Sequence, residues 1–232
     1  MGLTIRRISM VTILFALAGI LSFRTATGQM ALYIHPRYEL LVYACALVVF
    51  LFGAVSLSSR TKPPALASIF LLLPVCLAIG ITPKPLGSAA LAGQIHALNA
   101  VAPSAKTTNP TDTTTDRAQW DLYDWAIASS IDITPYAGSV TTLEGFVVHS
   151  PDLDLPVDQL MLARYVLNCC TADAGGVGMP VVWANPTQYA SDTWLRVTGT
   201  ISVDSRAGVP RAILLATSIV PIEQPRRPYL LP

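Results

Sequence analysis

Three apolar runs, Ile8–Phe23, Leu40–Leu57 and Leu66–Thr82, contain no Asp, Glu, Lys, Arg or His, and each is soon followed by Arg, Lys or Pro. Runs of this kind must be covered by lipid or by protein, so the chain is expected to be membrane-anchored through about three transmembrane α-helices. Each run holds roughly 16 to 18 residues, near the lower limit for a ~30 Å hydrocarbon core. Tilt, or flanking residues snorkelling to the interface, would complete the span.

The charges divide the chain in two. Met1 to Lys106 carries eight Lys/Arg and one acidic residue, Glu39, whereas Thr107 to Pro232 carries seven Arg, no Lys and thirteen Asp/Glu; +7 and −6 give the overall +1. An acidic half without lysine is a poor electrostatic partner for phosphate backbones, so no nucleic-acid partner is expected. Arg6, Arg7, Arg60 and Lys62 lie on one side of the expected spans, and Arg24, Arg37 and Lys84 on the other. With Arg6–Arg7 ahead of the first span, the positive-inside rule places the N-terminus in the cytoplasm and the acidic half outside, as in a multi-pass protein of the plasma membrane. Arg6–Arg7, the first apolar run and Ala26-Thr27-Gly28 also imitate a cleaved signal peptide, which would leave the orientation of the rest unchanged.

Composition also marks the domains. The membrane region is expected over residues 1–98, with Pro83-Lys84-Pro85-Leu86-Gly87 ending the third helix. Residues 99–116, rich in Thr and Pro, read as a linker with little to bury. Residues 117–232 are expected to form a short helix plus a small all-β domain. Asp116 is placed to cap a helix at Arg117–Ser130, with Trp120, Tyr123, Ile127 and Ile131 at three- and four-residue steps. Strands are predicted at Val140–His149, Leu160–Cys169, Pro180–Ala184, Trp194–Ile201 and Ala212–Val220. Leu195, Val197 and Ile201 would share one face of the fourth strand, with Trp194, Arg196, Thr198 and Thr200 on the other. Gly145 and Gly199 fall inside strands, where a missing side chain permits the bends of a closed barrel. An OB-like five-stranded barrel is the favoured fold, ahead of an open β-sandwich.

The block Leu162-Ala163-Arg164-Tyr165-Val166-Leu167-Asn168-Cys169-Cys170-Thr171-Ala172-Asp173-Ala174, with Leu143–Val147 before it and Trp194–Gly199 after it, resembles the C-terminal region of YcgQ-type bacterial membrane proteins. Tyr33–Tyr38 and the Pro83–Ser88 turn are similar to that family as well. The resemblance covers most of the chain outside the first span and the threonine linker. It implies a permease subunit paired with a separate multi-span permease of the YraQ/YcgR type, without an established enzymatic activity.

The vicinal pair Cys169-Cys170 is the feature that invites chemistry. In a regular strand neighbouring residues point to opposite faces, so both thiolates reach one ion only if the strand ends or bulges there. Asp173 could then supply a third ligand and His149, from a neighbouring strand end, a fourth. Two thiolates, an imidazole and a carboxylate suit zinc or another thiophilic metal. A redox role is a second reading, because a disulfide between residues ~3.8 Å apart at Cα is strained and readily reduced. In a third, both cysteines are small packing hydrophobes. Arg164 is expected to hold the barrel end by pairing with Asp173 or Glu144, or else to face an anionic ligand. His35 and Arg37, beside Tyr38, are expected at the membrane interface.

Gly175-Gly176-Val177-Gly178 reads as a turn into the third strand rather than a phosphate loop, and no nucleophile or metalloprotease spacing is present. An enzyme is therefore not expected. Apolar spans without charges offer no internal ion path, which points to an accessory subunit of a membrane permease complex, handling a transition metal or another small solute through its external domain. The alternative is an independent membrane-anchored module that binds or senses an envelope protein, peptide or glycan.

Overall fold

The computed structural model describes residues 2–58, 65–91, 117–205 and 210–232. The chain divides into two compact units, Met1–Pro85 and Leu86–Pro232. The expected linker 99–116, the cap Asp116, and Arg60 and Lys62 lie outside the described residues.

The first unit comprises α1 (Gly2–Ala26), α2 (Glu39–Ser58) and α3 (Ala65–Gly80). Ile8–Ala26 and Pro36–Ser58 are long and apolar enough to cross a membrane. That agrees with membrane anchoring, and many large apolar side chains, Leu40, Phe52, Phe70 and Ile79 among them, are exposed. The third expected span is different. α3 has 16 residues with Pro74 inside it, a rise of about 24 Å at 1.5 Å per residue, and it follows directly on residues 59–64, which lie outside the described set. Arg24, at the end of α1, donates to the backbone carbonyls of Ala78, in the last turn of α3, and of Ile81, just beyond it, so it occupies acceptors that a helix end leaves without helical partners.

The second unit is a closed five-stranded barrel of β1 (Val140–Val148), β2 (Gln159–Val166), β3 (Gly175–Val182), β4 (Trp194–Asp204) and β5 (Arg211–Pro221), in the order β1-β2-β3-β5-β4. Neighbouring strands run antiparallel except at the β3–β5 seam, where Val181 and Val182 lie parallel to Leu214 and Leu215. The alternation expected in β4 is observed: Leu195, Val197 and Ile201 are buried, and they join Leu143, Val147, Leu160, Leu162 and Leu214 in the barrel core. On the outer face Arg196 stands opposite Glu144, and Thr198 opposite Thr142. Gly199 sits at an irregularity in the β4–β5 register. A Cβ there would lie 2.3 Å from the Leu215 carbonyl oxygen, so the strands cross where only glycine fits.

The helix expected at Arg117–Ser130 is instead a single 3-10 turn, Arg117–Gln119, followed by α5 (Leu122–Ile131). Asp121 and Asp124 form a reciprocal capping box and so fix the start of the helix later in the chain. α5 brings Leu122, Tyr123, Trp125 and Ala128 into the barrel core, with the Trp125 indole donating to Thr141 Oγ1 at 3.2 Å.

Strand limits differ too, most at the start of β3, the end of β2 and the end of β4, which runs on to Asp204. Gly175–Gly178 is the first half of β3, paired with Val166 through Ala163, and not a turn. Gly178 has no Cβ where one would stand 2.8 Å from the Met161 sulfur, which lets that side chain lie across it. β2 ends at Val166, not Cys169, because the backbone there turns to meet the C-terminal tail: Leu167 N donates to Leu230 O at 3.0 Å and Leu230 N to Tyr165 O at 2.8 Å.

A second core lies outside the barrel wall. Phe146, Val148, Met161, Ala163, Tyr165, Leu167, Trp194 and Tyr229 pack there with Leu91. The short helix α4 (Ser88–Leu91) thus belongs with the barrel. It is held by three side chains. Tyr165 Oη donates to Gly87 O at 2.9 Å, Tyr229 Oη accepts from Leu86 N at 3.0 Å, and the Asp192 carboxylate accepts from Ser88 N and Oγ at 2.6 and 3.0 Å. Strand β2 is consequently covered on both faces.

Candidate functional site

The cysteine loop follows directly from the end of β2. Residues Thr171–Asp173 form a 3-10 turn closed by a capping box, in which Cys170 takes the place usually held by Ser or Thr: its side chain accepts from Asp173 N, and the Asp173 carboxylate accepts from Cys170 N. The same carboxylate accepts from Cys169 N at 2.8 Å and from Cys170 N at 3.3 Å. One aspartate thereby fixes the backbone of both cysteines. Their sulfurs lie 3.6 Å apart as free thiols, and both residues are half-buried.

The electrostatics follow from that geometry. Hydrogen bonding to the Asp173 carboxylate, then to Cys170, pushes the Cys169 thiol up to about 12, so it stays protonated at neutral pH. Burial raises the Asp173 carboxyl, but the Cys169 thiol and the backbone N–H groups of Cys169, Cys170 and Asn168 outweigh it and hold the carboxyl below its usual range. Cys169 is thus the opposite of an activated nucleophile.

The four expected metal ligands do not converge. Cys169, Cys170 and Asp173 share one loop, whereas His149 follows β1, whose end at Val148 pairs with Met161 near the start of β2. From Met161 to the end of β2 at Val166 is already about 17 Å at ~3.4 Å per residue, so His149 and the cysteines occupy opposite ends of that strand. The His149 ring instead lies 2.7 Å from Tyr189 O. Among the described residues, no group of three or more His, Cys, Asp and Glu is arranged to hold a metal ion.

Arg164 holds the barrel end, but through different partners from those expected. Its Nε and Nη2 donate to the carbonyls of Pro228 and Arg227 at 3.0 and 2.9 Å, and its guanidinium lies 5.5 Å from the Trp194 ring centre. Burial lowers its pKa, opposed by Asp121 and Glu144. Glu144 is taken by Arg196, whose Nε and Nη2 donate to one carboxylate oxygen at 2.9 and 2.7 Å, and Asp173 is turned toward its own loop. Arg164 therefore ties the C-terminal tail to β2.

In the first unit, His35 Nδ1 accepts from Arg37 N at 3.1 Å and caps the turn Pro36–Tyr38. The exposed Arg37 guanidinium lies 5.0 Å from the Tyr38 ring centre. Both residues thus have local structural work to do.

The positioning role of Asp173 was legible in principle. Cys170-Thr-Ala-Asp173 has the spacing of a capping box with sulfur in place of a hydroxyl. The Tyr165, Asp192 and Tyr229 contacts to Leu86–Ser88 have no local signature, because they join residues more than seventy positions apart.

Residues 122–232 match the DUF1980 C-terminal domain. No curated protein matches the chain, and no solved structure does.

Proposed function

We propose that the DUF1980 C-terminal domain is here the external module of a membrane-anchored accessory subunit, of the YcgQ type, that works beside a separate multi-span permease of the YraQ/YcgR type. The N-terminus would be cytoplasmic, the helical unit multi-pass in the plasma membrane, and the barrel extracytoplasmic. One observation carries this reading: the apolar runs at 8–23, 40–57 and 66–82 contain no Asp, Glu, Lys, Arg or His. Such helices anchor but offer nothing to carry an ion or polar solute, so transport would depend on a partner. Strand order β1-β2-β3-β5-β4 with a parallel β3–β5 seam supports an OB-like assignment for the barrel. The proposal includes no catalytic step and no nucleic-acid partner.

The test is purification of the tagged full-length chain from gently solubilised membranes, with its companions identified by mass spectrometry. A multi-span permease recovered in near-equimolar amount is the expected result. Recovery of the chain alone, or with an envelope-assembly protein, would overturn it. The second of these outcomes would favour the alternative, an independent binding or sensing module. That alternative has its own support: the barrel interior is filled by Leu143, Leu160, Leu162, Val181, Leu195 and Leu214, so recognition of a peptide, glycan or protein would fall to the outer surface.

A further inference from the structure

We infer that Cys169 and Cys170 form a two-sulfur docking site for a thiophilic cation, zinc(II) or copper(I), with Asp173 as a positioning residue and His149 taking no part. The spacing of the sulfurs is the first argument. Two thiolates at ~2.3 Å from a tetrahedral zinc lie roughly 3.8 Å from one another, and the sulfurs here are already 3.6 Å apart. An ion would enter with a small opening of the pair rather than a rearrangement of the loop.

The second argument is the absence of a strand at the pair. β2 stops at Val166, so the alternation that would send neighbouring side chains to opposite faces no longer applies, and the two sulfurs lie side by side. This disposition is held from both directions. Leu167 is anchored to Leu230 upstream, and downstream the Asp173 carboxylate accepts from the N–H groups of both cysteines.

Donor chemistry selects the class of ion. Thiolates favour zinc(II) and copper(I) over magnesium, calcium or manganese. Structural zinc sites are closed by four protein ligands, whereas this loop offers two sulfurs, so the remaining positions fall to an external donor. The site is built to receive and release rather than to retain. In the binding step each thiol gives its proton to solvent as a sulfur–metal bond forms, and no electron is transferred.

The experiment uses the full-length chain in detergent, kept reduced with a phosphine, and titrated separately with copper(I) and zinc(II) against a chromophoric chelator of each ion. One equivalent of at least one ion is expected, and the arm that competes names it. Cys169→Ser and Cys170→Ser should each weaken binding about 100-fold; Asp173→Asn, which keeps the acceptor for both backbone N–H groups and removes the charge that holds the Cys169 proton, should bind no more weakly than the wild type, and His149→Ala should leave binding unchanged. Near-UV circular dichroism of the barrel tryptophans checks that each variant is folded. In the wild type, the bound ion should also protect both cysteines from alkylation. No competition by either ion, equal affinity in the serine variants, or a loss in His149→Ala matching theirs would overturn the site. Any of those results leaves the permease reading standing, since that reading is judged by the companions of the chain and not by its metal affinity.

Discussion

Replacing Asp173 with asparagine keeps an acceptor for the N–H groups of Cys169 and Cys170 but removes the charge that holds the Cys169 proton. In the wild type that thiol is raised from its ordinary 9.0 to about 12, with Asp173 the largest cause. At pH 8 the thiolate fraction is then on the order of one in ten thousand, against about one in ten for an ordinary thiol, a ratio near 1,000. Intrinsic nucleophilicity falls with pKa at a Brønsted slope of about 0.4–0.5, which returns roughly 1.2–1.5 log units. The net acceleration of alkylation is about 30- to 60-fold at most, and because Cys170 also raises the thiol, about 10- to 40-fold is expected for Asp173→Asn. The assay is the pseudo-first-order rate of iodoacetamide labelling at pH 8, with Cys169 resolved from Cys170 by peptide fragmentation. Rates equal within twofold, or a wild-type Cys169 that already labels as fast as a free thiol, would refute the assignment.

The same contact makes the loop pH-dependent at both ends. Asp173, lowered on folding, contributes stability that is present above its ordinary 3.8 and is lost as pH falls through the lower folded value. Cys169, raised on folding, contributes stability that is present below 9.0 and is lost as pH rises toward about 12. Amide exchange at Cys169 and Cys170, corrected for intrinsic rates, should accelerate in both windows and not between them. Gly199→Ala, which sets a methyl against the Leu215 carbonyl, should destabilise the barrel by about 3 kcal/mol or more in chemical denaturation. Thr141→Val should cost about 1–3 kcal/mol by leaving the buried Trp125 N–H without its acceptor, and adding Trp125→Phe should cost less than the sum of the two single changes.

The barrel was legible because its strands are runs of Val, Ile, Leu, Tyr and Trp, with period-two burial clearest in β4, whereas β2, covered on both faces, carries none. In β4 the alternation placed Leu195, Val197 and Ile201 correctly. The glycines were harder: Gly175 to Gly178 carry a turn signature yet lie in β3, since the Met161 side chain lies against Gly178 and no propensity scale registers a neighbour. Helix α5 was displaced because the sequence offers two caps, Asp116 with Gln119 three residues on and Asp121 with Asp124, and the structure forms the box at Asp121. In the third apolar run, composition suggested a span, and the described residues there form a 16-residue helix interrupted by Pro74. At the site, sequence adjacency brought out the cysteines and Asp173, whereas linking His149 to them required knowing which end of β2 faces which end of β1. Arg164 illustrates the same limit. Its partners are backbone carbonyls of the tail, and carbonyls have no sequence signature.

Closure of the barrel bears on how any partner can hold it. A sheet with a free edge can be extended by a strand from another protein, and the main-chain hydrogen bonds so formed provide affinity with little regard to sequence. Here β1 and β4 are joined over seven residue pairs, from Val140 opposite Thr200 to Phe146 opposite Trp194, and the circuit returns through β5 and β3. Strand addition is therefore closed along the β1–β4 seam, whereas the β3–β5 seam, paired only at Val181 with Leu214 and Val182 with Leu215, is where a companion could reach main chain as well as side chains.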